Sequence, residues 1–255
     1  MIIILPKGEN DMRYSDGFGK NSSKILLGTA YFGENISEAE SFEIMDTYVS
    51  MGGNHIDTAR LYADGEAERI IGRWFKSRKP ENIHVSTKGA FPRWETPHIS
   101  RLSEAEIRSD LEESLTHLGF DCIDFYWLHK DDENLDSGEI IEILNKLVKE
   151  GKIKKFGASN WRSYRVDEAN KYAASHGLQC FEASQVRFSP AIVAPNGNAD
   201  RTLVDMDKPS FDYYKEQKMP VAAYASQAKG FFSKLKYPAD VLPGDDHYFM
   251  NLSMA

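Results

Sequence analysis

Seven times in succession, a short run of β-branched or aromatic residues gives way to a longer amphipathic stretch, and this alternation constrains the fold more than any other feature. The apolar runs are Lys24–Thr29, Asn54–Thr58, Ile83–Lys88, Cys122–Leu128, Lys155–Ser159, Cys180–Val186 and Val221–Tyr224. Helices are expected over about 38–51, 67–76, 104–118, 139–150, 163–175 and, more weakly, 211–217. Ser37 with Glu40, and Ser103 with Glu106, have the spacing that caps a helix start. Gly52–Gly53, Gly119 and Gly151 stand where a helix stops in the left-handed conformation. Strands alternating with helices require crossover connections, and crossovers lay the strands parallel. Cys122–Leu128 is apolar almost throughout, as a strand buried on both faces must be.

Two parallel architectures compete. A doubly wound sheet places a glycine-rich phosphate loop after its first strand, but Ala30-Tyr31-Phe32-Gly33-Glu34 has neither GxGxxG nor GxxxxGK[ST]. Seven successive units instead fit an α/β fold of the (β/α)8 TIM-barrel type. With 255 residues and no break in composition, a single domain over 1–255 is expected. The 31 basic residues against 39 acidic give a net charge of −8, which opposes sequence-independent binding to nucleic acid or an anionic membrane. Cys122 and Cys180 make no disulfide framework and no zinc spacing, so no metal site is expected. Met1–Leu5 is too short and lacks the basic flank of a secretion signal or membrane span, so a cytoplasmic protein is expected. Ser189–Lys208, polar and holding Pro190, Pro195 and Gly197, reads as a functional loop or lid.

In a parallel barrel the chemistry gathers at the C-terminal ends of the strands. Asp57 ends the second strand, Tyr62 follows in the same loop, Lys88 ends the third strand and His129 ends the fourth. Singly, each has a bland reading: a turn residue, a packing ring, a solvated amine, a core imidazole. Together, four ionisable groups at successive strand ends of one face are a stronger constraint. A Tyr can give a proton to a developing alkoxide, and an ammonium such as Lys88 would favour its phenolate and lower its pKa. Asp57 would hold Lys88 charged, and His129 would orient the oxygen being protonated. No side chain here is a redox centre, so a hydride would have to come from a bound cofactor.

Gly53–Arg73 (GNHIDTARLYADGEAERIIGR), Ser86-Thr87-Lys88, Ile123–His129 and Gly157-Ala158-Ser159-Asn160 resemble the aldo-keto reductase family, in order, over about residues 24–232. The resemblance implies reduction of an aldehyde, ketone or sugar-like carbonyl with NADPH, in preference to NADH, through the tetrad Asp57, Tyr62, Lys88 and His129, with Tyr62 as general acid. It implies that Ser159, Asn160 and Gln185 hold the nicotinamide carboxamide, that Tyr224 stacks on the nicotinamide, and that Asp57 and the backbone of Gly28 and Thr29 line the same pocket. Ala225, Ser226, Gln227, Lys229 (where the family usually has Arg) and Gly230 correspond to the loop around the pyrophosphate. Tyr31, Phe32, Trp94 and Trp161 are expected to wall the substrate pocket, and Trp127 to pack inside the barrel.

After Phe232 the resemblance ends in a divergent tail, 233–255, with Pro238, Pro243 and Gly244 and no strong strand signal or basic clamp. The expectation is a barrel without its eighth strand and last helix, with open edges on the first and seventh strands. Three accounts stand open: a shortened chain, a tail that stands in for the missing strand, or a partner or second copy covering the open edge. The competing functional reading is a non-catalytic relative serving as an interaction subunit. A barrel isomerase without nicotinamide would need metal ligands or paired carboxylates at strand ends, where Asp57 is the one obvious carboxylate.

Overall fold

The computed structural model of the chain describes residues 13–193, 202–234 and 249–251. Seven strands form one parallel sheet: β1 (Leu27–Gly28), β2 (His55–Asp57), β3 (His84–Gly89), β4 (Ile123–Leu128), β5 (Ile153–Ser159), β6 (Ser184–Arg187) and β7 (Val221–Tyr224). Their order in the sheet is their order in the chain. Between them run α1 (Glu38–Ser50), α2 (Glu66–Arg78), α3 (Glu104–Leu118), α4 (Ser137–Lys149), α5 (Ser163–His176) and α6 (Lys208–Glu216), with a short α7 (Phe231–Lys234) after β7.

Helix ends follow from local chemistry. At α1 the Ser37 hydroxyl accepts from the Glu40 N–H while the Glu40 carboxylate accepts from the Ser37 N–H. That reciprocal box satisfies two donors that a helix start otherwise leaves unpaired. At the end of α3, Gly119 takes a φ of 71°, a conformation that a Cβ would strain.

The strands alternate their side chains between two cores. Ile56, Val85, Tyr126, Leu128, Phe156 and Ala158 face outward into the large apolar layer beneath the helices. Phe125, Trp127, Ala183 and Ala222 face inward and form one cluster with Phe18, whose ring meets Phe125 and Trp127, and Leu26 beside β1 packs against that cluster. Leu26 and Ala222 belong to strands at opposite ends of the sheet yet share this one cluster, as the inner face of a curled, barrel-type sheet does. Gly157 leaves room for this layer: a Cβ there would stand 2.7 Å from Trp127 and 2.6 Å from the Ala183 carbonyl. Phe18 sits in the turn of an N-terminal hairpin pairing Tyr14–Ser15 with Ser22–Ser23.

Several boundaries differ from the sequence expectation. The first strand is confined to Leu27–Gly28, because the Ile25 carbonyl is taken by the Tyr48 and Ser23 hydroxyls. The sixth strand begins at Ser184 rather than Cys180; the Asn170 side chain of α5 bonds both the N–H and the carbonyl of Phe181 and so replaces the ladder there. Within the expected loop 189–208, Ala191–Val193 is a strand, and it pairs antiparallel with Phe249–Asn251. The tail therefore does contribute a strand, contrary to its composition. Met1–Leu5, the middle of the loop at 194–201, and tail residues 235–248 and 252–255 lie outside the described residues. No helix among the described residues is long and apolar enough to cross a membrane.

Candidate active site

The two-residue period that builds the inner core also builds the mouth above it. Continuing inward-facing positions up each strand gives His55 and Asp57 on β2, Ser86 and Lys88 on β3, and Trp127 then His129 at β4. It likewise gives Ser159 on β5, Gln185 and Arg187 on β6, and Tyr224 on β7. The register aligns Asp57 with Gly28 on one side and Ser86 on the other. The Lys88 ammonium donates to Asp57 Oδ2 at 2.6 Å and to the Thr58 carbonyl at 2.7 Å, with its side chain 1% exposed. Tyr62 opens a 3₁₀ turn (Tyr62–Gly65) in which Ala63 and Asp64 both have positive φ, at 48° and 52°. Such strained backbone persists only where its surroundings hold it. The turn brings the Tyr62 ring to 5.0 Å from the Lys88 ammonium and edge-on to His129 at 6.1 Å. The four groups from three strand ends thus share one inner face.

Electrostatics sets their protonation. Burial works against the Lys88 charge, but Asp57 and Tyr62 outweigh it and the amine sits above its usual value. Tyr62 is also raised: burial is the largest cause, and it exceeds the downward pull of Lys88. The expected downward pull of the ammonium on this phenol is present, but desolvation outweighs it. His129 is pushed well below the usual imidazole value by burial, then by Lys88, Lys130 and Arg60. At neutral pH the set is therefore an ammonium, a protonated phenol and a neutral imidazole. His129 Nδ1 is buried without a hydrogen-bond partner, so the proton is better placed on Nε2, the ring nitrogen left to the mouth.

The buried polar group at β5 and β6 lies beside this set. Asn160 has a φ of 58° and spends its amide within the protein: Nδ2 donates to the His129 carbonyl and to Ser159 Oγ, and Oδ1 accepts from the Tyr224 hydroxyl at 2.7 Å and the Val204 N–H. Ser159 keeps its own proton, and Gln185, which reaches Asp57 with Nε2 at 3.4 Å, keeps its carbonyl oxygen for an outside partner. Thr29 bonds the Asp57 carbonyl through both its N–H and its hydroxyl. Ala225 and Ala228 take positive φ in the turn after β7, which runs through Ser226 and Gln227 to the 3₁₀ segment Ala228–Gly230 containing Lys229. Of the expected pocket walls, Tyr31 and Trp94 are exposed. Phe32 and Trp161 are not at the mouth: Phe32 is in the helix-side core, and Trp161 is fully enclosed against Phe181, donating to the Lys130 carbonyl.

Sequence reasoning passed over several residues that the fold brings here. Phe91 meets His129 edge-to-face at 5.1 Å and packs at a tilt on Trp94 at 5.5 Å, with the Lys130 ammonium 4.4 Å from its ring. Arg187, buried at the end of β6, pairs through two nitrogens with Asp205 and anchors the 204–206 segment by backbone bonds at both its N–H and carbonyl. The signal for Arg187 was its position two residues past Gln185; Phe91 gave none beyond lying in a β–α loop. His55 and Ser86, two residues below Asp57 and Lys88, lie in the segments that carry the resemblance, but nothing in the sequence gave them a role of their own.

A sequence model of the Aldo/keto reductase family matches residues 24–249, further toward the C-terminus than the resemblance at 232. Norsolorinic acid reductase B of Dothistroma septosporum is 30% identical over 224 residues, 82% of this chain and 54% of that protein. The putative aryl-alcohol dehydrogenase AAD14 of Saccharomyces cerevisiae is 30% identical over 203 residues, 74% of this chain and 53% of that protein. The chain spans about half the length of these relatives. Among solved structures, aldo-keto reductase AKR11C1 of Bacillus halodurans superposes with a TM-score of 0.70 at 24% identity, covering 89% of this chain and 70% of its own. An aldo-keto reductase of Klebsiella pneumoniae solved with NADPH gives 0.67 at 24% identity, covering 86% and 69%. At that identity the structures support the barrel fold alone. The family match over most of the chain, together with relatives at 30% identity, shows that the chain belongs to the aldo-keto reductase family.

Proposed function

We propose that this chain, acting as a single barrel-type domain, reduces a carbonyl compound to an alcohol with NADPH, and that Tyr62 is the general acid. The observation that carries the reading is the buried Lys88–Asp57 pair set against the Tyr62 ring, with the neutral His129 facing the same ring. The residues at β5 and β6 fit a nicotinamide carboxamide: it needs a donor for its oxygen and an acceptor for its N–H₂, and Ser159 and Gln185 retain one of each. NADPH, when bound, supplies the hydride. His129 Nε2–H holds the carbonyl oxygen; Tyr62 passes its proton to that oxygen as negative charge develops there. Lys88 compensates the phenolate left behind, and Asp57 keeps the ammonium in place until Tyr62 takes a proton from water. The carboxamide role moves in part from Asn160, whose amide is spent internally, to its neighbours, with Asn160 fixing Tyr224 and the 204–206 segment.

An aromatic carbonyl is the substrate class this mouth fits best. Phe91 packs against His129 and Trp94 against Phe91, and relatives are named for norsolorinic acid and aryl alcohols. The test is a fluorescence titration with NADPH and NADH, followed by turnover on aromatic and aliphatic aldehydes. Saturable NADPH binding and faster reduction of the aromatic set are expected. A folded protein that binds neither nucleotide would overturn the enzyme reading in favour of an interaction subunit.

A further inference from the structure

Below the tetrad lies a line of buried polar groups that the reaction as described does not use. His55 is fully buried in β2, two residues before Asp57 and on the same inward face. Both of its ring nitrogens are engaged: Nδ1 lies 2.8 Å from Ser22 Oγ in the N-terminal hairpin, and Nε2 lies 3.1 Å from Ser86 Oγ on β3. Ser86 Oγ in turn lies 2.6 Å from Asp57 Oδ1, and Asp57 Oδ2 accepts from Lys88.

Proton counting fixes the direction of every link. A carboxylate oxygen only accepts, so the single Ser86 proton goes to Asp57 Oδ1. Ser86 must then accept from His55, which places the imidazole proton on Nε2 and leaves Nδ1 to accept from the Ser22 hydroxyl. The line reads Ser22 O–H to His55, His55 Nε2–H to Ser86, Ser86 O–H to Asp57, with every donor pointing at the carboxylate. Aligned bonds of this kind strengthen one another in a low-dielectric interior.

We infer that His55 and Ser86 are positioning residues for the reduction proposed above: with Ser22 they fix the Asp57 carboxylate, and through it the placement of Lys88 against Tyr62. The inference rests on that reading of the tetrad. It ties the hairpin plugging the barrel floor to the chemistry at its mouth. The imidazole suits the role because it stays neutral. Its ring pKa is lowered to about 4, with burial the largest cause. Asp57 on its own strand, His84 and Lys88 on β3 and Asp124 on β4 also act on it electrostatically, and the Phe18 ring meets it edge-on at 6.0 Å.

The first test does not need turnover. In ¹⁵N-histidine-labelled protein, long-range ¹⁵N–¹H spectra, with the His55 signal assigned by its loss in His55→Gln, should show a neutral Nε2–H tautomer throughout pH 6–8. An Nδ1–H tautomer, or an imidazolium near pH 6.5, would overturn the line. The second test is kinetic. Ser86→Ala and His55→Met should lower kcat by roughly ten- to a hundred-fold, as misplacement of a reacting group does, with KM and NADPH affinity little changed. Weaker pairing of Asp57 with Lys88 should also move the high-pH limb of kcat to lower pH in both variants. His55→Gln, which carries a donor at the Nε2 distance, should recover most of the loss. Unchanged kcat and pH limb in Ser86→Ala, or a loss in His55→Gln equal to that in His55→Met, would refute it. If the wild type neither binds NADPH nor turns over, the reaction reading fails, and the tautomer measurement alone upholds or overturns the line.

Discussion

Two tyrosines, Tyr62 at the barrel mouth and Tyr126 in β4, are both desolvated beside buried charges, yet the structure gives them opposite prospects. Tyr126 points outward from the sheet into an ionic layer between β3–β4 and α2–α3. There Asp110 binds Arg101, Arg60 and the Ala90 N–H, while Glu68 accepts from Thr87 at 2.5 Å and meets His117 at 3.0 Å. The Tyr126 hydroxyl has no partner, and burial, then Asp110 and Glu68, raise its pKa well above the usual phenol value. The hydroxyl is shut off from solvent, in space that Gly89 leaves by having no Cβ, which would stand 1.9 Å from it. Tyr62 is raised as well, but the charge acting most strongly on it is the Lys88 ammonium, and its neighbour His129 opens onto the mouth. Buried charge alone therefore does not mark the site. What sets Tyr62 apart is the Lys88 ammonium against its ring and the His129 imidazole edge-on to it, the features on which the proposed proton transfer rests.

The comparison can be broken in four ways. Tyr62→Phe should lower kcat by roughly 10²- to 10⁴-fold, the usual contribution of a general acid, while NADPH binding persists; equal turnover would remove Tyr62 from the chemistry. Asp110→Leu acts on the other layer. It strands Arg101 and Arg60 without their shared carboxylate and should cost about 3–5 kcal/mol of stability in chemical denaturation, with kcat of the folded protein intact. A third experiment follows stability against pH. His55 is depressed to about 4 in the folded state and has an ordinary value near 6.5 when unfolded. Its contribution is complete above pH 6.5 and is lost as pH falls toward 4, on the order of 3 kcal/mol, with His129 acting in the same direction. His55→Gln should flatten that slope. The smallest effect belongs to Tyr126→Phe: removing an orphaned hydroxyl should leave activity unchanged and stability within about 1 kcal/mol, or slightly higher. A large loss there would mean that the hydroxyl has a partner in solution.

Much of the scaffold was legible because its signals are local. Ser37, Ser103 and Gly119 mark helix ends within four residues of the groups they satisfy, and the two-residue period identifies inward positions on any strand. Val221–Tyr224 matches its expected span for that reason, whereas Cys180–Ala183 does not, because Asn170 comes from another element to occupy the ladder. The tail strand was not legible at all: Phe249–Asn251 is extended only through its pairing with Ala191–Val193, a partner far away in the chain.

By itself, then, the sequence determined the order of strands and helices, the parallel sheet and the identities of Asp57, Tyr62, Lys88 and His129 at three successive strand ends, since periodicity and position carry all of these. Tertiary structure alone decided that Phe32 and Trp161 turn into the core, that Asn160 is consumed holding Tyr224, that desolvation outweighs Lys88 at Tyr62, and that Ser22 and Ser86 complete the valence of His55. Each of these depends on which atoms from distant segments fill the space around a group, because solvation and hydrogen-bond valence are properties of the packed neighbourhood rather than of the neighbouring residues in the chain.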